Sequence, residues 1–284
     1  MDFQFYFLKE DNRVYDNTEL IALLRSNPCI SMEKRLEDKI FTYRHPELNF
    51  DARFIMSSRS KIPHLERLSP KYFDINFMVE FNVLLPTYCV ELILDIVEDI
   101  CKTMKFYVYN QAFQDVNPFK RQMMIKAFDA WKKAYKDNHE DEIAKYKYLS
   151  SQNYSLVLGY LAKRPELAVQ LDKSKYYVPE YDFLYTARSR ACYVTISWDG
   201  YSQLVLPPAV DIFYYNDGKD QRFIPFTELI SKTDKLFSPL DEFGYIRILD
   251  NKNVKKLKRF INKNKFSPLN AELKTTSIDN ILDV

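Results

Sequence analysis

Three histidines are the residues of this sequence best suited to acid–base or metal chemistry near neutral pH. They are His45, His64 and His139, and no two of them stand at the spacing of a zinc site. The chain also lacks a His-Glu-x-x-His sequence, and the three positions fall in a predicted turn, a predicted loop and a polar break between helices. The pattern therefore predicts surface histidines and no catalytic or metal-ligating residue.

Glycine-dependent catalytic and phosphate-binding motifs are missing from the sequence. It has only four glycines, and none of them forms a Gly-x-Ser-x-Gly elbow, a Gly-x-Gly-x-x-Gly turn or a P-loop. We therefore predict no cofactor. A Ser-His-Asp or Cys-His set assembled from distant positions is left open by the sequence.

Paired carboxylates are the remaining candidates for chemistry, because glycosidases and metal-dependent nucleases use them. Asp74 and Glu80 share the polar face of a predicted strand, but at about 3.4 Å per residue they lie roughly 20 Å apart. Glu91 and Asp95 share a helix face that also carries Lys102. The first pair is therefore too far apart to share a metal or flank one bond, and the second indicates a solvated helix face more strongly than a catalytic site.

The element that must position any site in the first half is a strand, a helix and a second strand. Residues 73–83 alternate strictly between two faces, one apolar and one mostly polar, which indicates a strand with one buried face. Pro86 precedes an apolar stripe at helical spacing, and residues 105–110 are rich in aromatic side chains. We expect the two strands to pair in parallel across a right-handed connection.

The order predicted for the first lobe is β-α-β-β-β-α-β, which is compatible with a ferredoxin-like sandwich. A longer helical stretch and then a β-rich stretch follow. We therefore predict an α+β protein with a ferredoxin-like α/β lobe at residues 1–115, a helical connecting segment at 116–174 and a β-rich α+β lobe at 175–284 that ends in a basic helix.

The β-rich lobe contains the most basic part of the chain. The dipeptide Asp199-Gly200 is typical of a tight hairpin turn, and a helix is predicted at residues 254–260 among seven Lys and Arg residues between positions 252 and 265. Tyr and Trp are favoured at binding surfaces, and a basic helix attracts acidic groups. The predicted partner-binding residues are Trp198, Tyr201, Lys255, Lys256, Lys258 and Arg259.

The bulk composition limits the partners and the compartment. Lys plus Arg number 41 and Asp plus Glu number 39, so the formal net charge of +2 gives no general reason to expect nucleic acid or an anionic membrane. The four cysteines are scattered without a Cys-x-x-Cys pair, which predicts reduced thiols. The N-terminus has no signal-peptide pattern and no stretch is long enough to span a membrane. We therefore expect a cytoplasmic protein.

Three stretches of the sequence form a recognisable set of motifs: Phe41, Tyr43, Pro46 and Glu47 in a predicted hairpin, Phe81, Asn82, Pro86 and Glu91 in a predicted strand–helix unit, and Trp198, Gly200, Leu206 and Pro207 in a predicted β segment. Together they resemble a family of uncharacterised bacterial proteins that have a ferredoxin-like α/β lobe followed by a β-rich lobe. The chain departs from the family at Thr87-Tyr88, where an aromatic pair is common. The resemblance implies the two-lobe layout and no activity.

The absence of catalytic motifs and an aromatic content of 15% favour a non-catalytic, cytoplasmic protein-interaction module, such as an immunity-like or adaptor protein. One alternative is a metal-dependent hydrolase or nuclease with dispersed carboxylates. The other is a nucleic-acid-binding protein that uses the basic C-terminal region. The oligomeric state is not specified by the sequence.

Overall fold

The chain is α+β, as predicted. The structure is a computed structural model, and it describes residues 1–35, 38–171, 176–240, 242, 244–269 and 272–284. The described residues contain seven α-helices and eighteen β-strands. The chain divides into two compact units, Met1–Ala144 and Lys145–Val284. The lobe boundary predicted between residues 174 and 175 lies outside the described residues. No helix in the described part of the chain is both long and apolar enough to cross a membrane.

The first unit is built on one seven-stranded sheet with the order β2-β3-β4-β5-β1-β6-β7. Its strands are β1 (Asp2–Glu10), β2 (Ile30–Arg35), β3 (Asp38–Arg44), β4 (Asp51–Met56), β5 (Tyr72–Asn82), β6 (Tyr107–Tyr109) and β7 (Asn117–Pro118), and its helices are α1 (Asn17–Ser26), α2 (Thr87–Met104), α3 (Arg121–Asn138) and α4 (Glu140–Ile143). Phe3, Phe5 and Phe7 on β1 are buried, and the Phe3 ring contacts Phe128 of α3.

The predicted unit β5-α2-β6 is present, but its two strands do not pair with each other. Strand β1 lies between them and is antiparallel to both, so β5 and β6 are parallel to each other and are separated by one strand. The prediction of direct pairing was wrong because the N-terminal strand takes the central position, and hydrophobic alternation does not specify the neighbour of a strand.

Strand β2 was missed in the sequence. It lies at one edge of the sheet, and among the described strands it pairs with β3 alone. Residues 31–33 are exposed, so the strand has no buried face that would enforce alternation. Edge strands usually carry charged side chains, and a strand of that composition shows no hydrophobic periodicity by which it could be predicted.

Strand β5 departs from strict alternation at a bulge. Its register with β1 shifts between Phe7 and Leu8, and Asn76 has a left-handed φ of 56°. Beyond the bulge, Phe73 pairs with Lys9 at the end of the strand and is 55% exposed, although the alternation placed it on the buried face. An inserted residue bends a strand and re-aims its side chains, and alternation alone does not reveal it.

The second unit contains three small sheets, in the orders β14-β13-β11-β10-β17, β15-β16-β12-β9 and β18-β8. Its strands are β8 (Lys147–Leu149), β9 (Tyr176–Tyr177), β10 (Asp182–Thr186), β11 (Cys192–Trp198), β12 (Gln203–Leu206), β13 (Ile212–Asn216), β14 (Gln221–Pro225), β15 (Ser238–Pro239), β16 (Arg247–Leu249), β17 (Leu273–Thr276) and β18 (Ile281–Asp283), and its helices are α5 (Ser151–Gln170), α6 (Phe226–Thr233) and α7 (Asn251–Lys263).

The Asp199-Gly200 turn does not form the predicted hairpin. It connects β11 to β12, and these strands belong to different sheets. The hairpin is instead made by the next turn, after Asn216, because β13 and β14 pair antiparallel. Both turns have a glycine with positive φ, Gly200 at 76° and Gly218 at 85°, so turn chemistry alone does not distinguish them.

Candidate interaction surface

Helix α7 has one apolar face and one basic face. Val254, Leu257 and Ile261 are buried, and Asn253 Nδ2 donates a 2.9 Å hydrogen bond to the Leu236 carbonyl. The opposite side of the helix is exposed and spans about 100° of its circumference and about 16 Å of its length. We call this side the basic stripe, and its members are Lys252, Lys255, Lys256, Arg259 and Lys263.

The basic stripe carries charge that the described residues do not neutralise. Helix α7 has no acidic residue, and no described carboxylate forms an ion pair with a member of the stripe. Like charges three or four residues apart destabilise a helix by about 0.2–0.5 kcal/mol per pair, and the stripe has several such pairs. The apolar face offsets this repulsion, and an anionic partner would remove it.

Arg222 of β14 holds the end of the same helix. Its guanidinium donates to the Ile261 carbonyl at 3.1 Å and forms an ion pair with Asp220. A cation at a helix C-terminus satisfies free carbonyls and interacts favourably with the helix dipole. The stripe is therefore presented by a helix that is fixed at its end as well as along its apolar face.

Lys258 lies on the edge of α7 and, unlike the stripe, is fully engaged. Its Nζ is 3.1 Å from Asp217 Oδ2 and 3.4 Å from the centroid of the Tyr201 ring. Its side chain is 22% exposed and that of Asp217 is 8% exposed. The ammonium is thus placed between a carboxylate and an aromatic face, which is the geometry of an ion pair combined with a cation–π contact.

Asp217 is the centre of this cluster. Its carboxylate accepts hydrogen bonds from the Tyr215 hydroxyl at 2.8 Å and from the backbone N–H groups of Lys219 and Asp220 at 3.1 and 3.0 Å. These donors, the Tyr215 hydroxyl most of all, and the Lys258 ammonium hold the pKa of Asp217 well below its ordinary value. Burial, and after it the bond to Asp217, raises the pKa of Tyr215 to about 12.

Tyr201 is presented by a rigid turn. Asp199 Oδ1 accepts the backbone N–H groups of Tyr201 and Ser202 at 2.8 Å each, and the Ser202 hydroxyl donates to Asp199 Oδ2 at 2.6 Å. Trp198 Nε1 donates to the Ser202 carbonyl at 2.8 Å from beneath the turn. Tyr201 itself is 61% exposed. The turn therefore fixes an exposed aromatic ring beside α7.

Gly200 makes this turn compatible with the cluster below it, and its replacement by alanine should destabilise the second unit. A Cβ at position 200 would lie 2.7 Å from Tyr215 Cε2, and the φ of 76° is unfavourable for any other residue. We expect Gly200→Ala to lower the free energy of unfolding by about 2–4 kcal/mol, from backbone strain and overpacking together.

Gly218→Ala is the matched control for this prediction. Gly218 also has a positive φ, of 85°, but a Cβ there would meet nothing within 4 Å. Gly218→Ala should therefore lower the free energy of unfolding only by the backbone strain, about 1–2 kcal/mol. Urea unfolding followed by Trp198 fluorescence in a Trp131→Phe background reports on the second unit, because the chain has two tryptophans. Equal losses in the two variants would show that the Tyr215 contact does not matter.

The structure places the six predicted partner-binding residues in three settings. Lys255, Lys256 and Arg259 are exposed members of the basic stripe, while Tyr201 and Lys258 contact each other at its edge. Trp198 is only 1% exposed, so it supports the turn from the core and does not form the surface. Whether this set binds a partner stays a prediction.

Sequence reasoning missed Asp217, Tyr215 and Arg222, which organise the cluster and the end of α7. The only local signal was the turn sequence that begins at Asn216, which marks Asp217 as a loop residue. Nothing in the sequence pairs that loop with Lys258, 41 positions further along the chain. The pairing depends on the β13–β14 hairpin reaching α7.

The histidines and cysteines do not assemble a second site in the described part of the chain. Among the described residues, no group of three His, Cys, Asp or Glu side chains could hold a metal ion. His45 lines an open hollow of about 460 Å³ formed by the β3–β4 loop, and its Nδ1 accepts two backbone N–H groups at 3.1 Å. Burial lowers the pKa of His45, which disfavours the charged imidazolium, and burial raises the pKa of the Cys101 thiol, which disfavours the nucleophilic thiolate.

The two carboxylate pairs considered in the sequence have separate structural partners. Glu80 accepts from Gln4 at 2.8 Å and pairs with Arg53 at 2.7 Å, while Asp74 Oδ1 accepts the Asn76 backbone N–H inside the bulge. Asp95 forms an ion pair with Arg121. Glu80, Asp95 and one carboxylate oxygen of Asp74 therefore have local structural roles.

Comparison of the chain with models of protein families, with curated proteins and with solved structures finds no match. The family resemblance suggested by its motifs therefore adds no residue role. Function is inferred from the α7 surface and its surroundings.

Proposed function

We propose that the protein is a non-catalytic interaction module that binds an acidic surface of another protein through the basic stripe of α7. One observation carries the proposal: five exposed Lys and Arg side chains follow one face of one helix and have no ion-pair partner among the described residues. Complementary charge steers association and fixes orientation at an interface.

The distribution of charge favours an acidic protein over nucleic acid. The second unit has 21 basic and 16 acidic residues, a net charge of +5, while the first unit has 20 basic and 23 acidic residues, a net charge of −3. A duplex carries one phosphate per about 1.7 Å and continues far beyond a stripe of about 16 Å. A limited acidic protein surface matches the stripe without requiring positive charge elsewhere.

The biological role that we propose is that of a cytoplasmic immunity-like or adaptor protein. Such a protein acts by occupying or recruiting its partner, and it needs a rigid, charged surface and no catalytic group. Helix α7 is held in place by its apolar face, by Arg222 and by the Lys258–Asp217 pair, and this fixed position supports the proposed role. Preorganisation lowers the entropic cost of association.

We also propose that the first unit is a ferredoxin-like sandwich enlarged by β2 and β3 at one edge of the sheet and by β7 at the other. The support is the central order β4-β5-β1-β6, in which β1 separates the two parallel strands joined by α2. A split β-α-β unit of this kind is the feature that defines the ferredoxin-like arrangement. In this proposal the first unit is a scaffold and the second unit carries the binding surface.

Selection of peptides from a random 12-residue display library tests the proposed function. The wild-type protein is the bait at 150 mM salt, and a stripe variant with Lys252, Lys255, Arg259 and Lys263 changed to Glu is the comparison. We expect the enriched peptides to be acidic. Their Kd for the stripe variant should be at least about 15-fold higher, since four exposed ion pairs worth roughly 0.2–1 kcal/mol each are lost and replaced by repulsive contacts of similar size.

A control variant with the same net charge separates the stripe from charge in general. It changes the exposed residues Lys145, Lys163, Arg188 and Lys274 of the same unit to Glu. The control should keep the wild-type affinity within about threefold, because none of these side chains belongs to the stripe and exposed charges outside a contact are largely screened by salt. Enrichment of neutral or basic peptides, equal losses in both variants, or tighter binding of a 20-base-pair duplex than of any peptide would overturn the proposal.

A further inference from the structure

We infer that Tyr201 is the aromatic anchor of the proposed interface, and that the acidic segment of the partner carries an aromatic side chain that stacks on the outer face of this ring. The inference rests on the proposed function and specifies the partner further. It starts from a geometric asymmetry. One face of the Tyr201 ring is covered by Lys258 Nζ at 3.4 Å, while 61% of the residue remains exposed.

The position of Tyr201 places it next to the basic stripe. Its ring contacts Lys258, which is three residues from Lys255 and therefore lies on the adjoining edge of α7. A partner that covers the stripe with carboxylates also passes over the Tyr201 ring. Tyr201 is therefore a large, exposed aromatic side chain that is fixed at this edge of the helix.

The ring is held in place before any partner arrives. The Asp199 carboxylate and Trp198 Nε1 fix the turn through hydrogen bonds of 2.8 Å, and Asp217 fixes the ammonium against which the ring rests. An aromatic residue that loses little freedom on binding is the usual type of hot spot in an interface. A mobile exposed tyrosine would not have this advantage.

The cation beneath the ring determines which side chain fits above it. A positive charge on one face draws electron density from the other face, so a second cation stacked there would be repelled by Lys258 as well as by the stripe. Arginine, which otherwise stacks well on tyrosine, is therefore disfavoured. Phe, Tyr or Trp is favoured, since an aromatic pair gains beyond its buried area.

A set of synthetic peptides tests the inference. Each 12-residue probe has four glutamates at positions 1, 5, 8 and 12, and one tryptophan is moved through each remaining position. A tryptophan-free probe and an arginine-for-tryptophan set complete the series. Kd values are measured by fluorescence anisotropy at 50 mM salt with wild-type protein, Tyr201→Ala and Tyr201→Phe.

We expect tryptophan at one position, or at neighbouring positions on one face, to lower the Kd for the wild type about five- to tenfold. Tyr201→Ala should abolish this gain, Tyr201→Phe should keep it, and arginine should give none. The gain is counted for each protein against its own tryptophan-free probe, and that probe should bind Tyr201→Phe as tightly as it binds the wild type.

Two failures can be told apart. If tryptophan gives no gain at any position, or gives the same gain with Tyr201→Ala, the inference is overturned while the proposed function stands. If the tryptophan-free probe binds the wild type no better than it binds the four-residue stripe variant, the proposed function itself fails. An equal gain from arginine would refute the role assigned to Lys258.

Discussion

Replacement of Trp198 by alanine is expected to lower the free energy of unfolding of the second unit by about 3–5 kcal/mol. Trp198 is 1% exposed, and its ring centroid lies 6.0 Å from those of both Phe213 and Tyr215. The substitution leaves a large cavity and also removes the hydrogen bond from Nε1 to the Ser202 carbonyl. The loss of unfolding free energy has three causes: the indole no longer gains from burial, a cavity remains in the core, and the Ser202 carbonyl loses its donor.

Amide hydrogen exchange of strands β11 and β13 measures this effect within the second unit. Trp198→Phe should keep most of the packing but lose the hydrogen bond, so its free energy of unfolding should lie between those of Trp198→Ala and the wild type. Val169→Ala is the control, because Val169 is 77% exposed in the same unit and its truncation should change stability by less than about 0.5 kcal/mol. A loss below about 1 kcal/mol for Trp198→Ala would mean that the indole does not hold this core together.

Replacement of Asp217 by asparagine should lower the urea midpoint of the second unit strongly at pH 6 and much less at pH 2.5. The carboxylate accepts from the Tyr215 hydroxyl and from two backbone N–H groups, and it pairs with Lys258. The amide keeps part of the hydrogen bonding but loses the ion pair. Lys258 is then left close to an aromatic ring without its counter-charge.

The sign of the pH dependence follows from the lowered pKa of Asp217. Its hydrogen bonds, that from Tyr215 above all, hold the folded-state pKa below the ordinary value of 3.8. The carboxylate therefore adds stability at pH values above that ordinary value, and the contribution is lost as the pH falls toward the folded-state pKa. The asparagine variant has no such titration, so the two midpoints converge in acid.

Fluorescence of Trp198 in the Trp131→Phe background follows this transition. A double-mutant cycle with Lys258→Met separates the ion pair from the other contacts of Asp217. We expect a coupling between the two substitutions at pH 6 that shrinks at pH 2.5. A midpoint difference between wild type and Asp217→Asn that stays constant over this range would contradict the assignment of the cluster to an ionised Asp217.

Local periodicity predicted much of the fold but not its connectivity. The apolar alternation around β5 and the stripe of α2 are properties of short segments, and the structure has both elements near the predicted positions. The central place of β1 between β5 and β6 depends on pairings between residues about 60 to 100 positions apart. Short segments contain no information about such a pairing, and the exposed edge strand β2 has no periodicity to detect.

The candidate surface shows the same division between sequence and tertiary structure. The sequence by itself predicted a short helix at residues 254–260 within the most basic part of the chain, because charge and helical spacing are local properties. Only the tertiary structure showed that Trp198 is buried, that Tyr201 is exposed against Lys258, and that Asp217 connects the two elements. Those contacts join three segments that are distant in the chain, and they arise only when the β13–β14 hairpin and the turn after β11 pack beside α7.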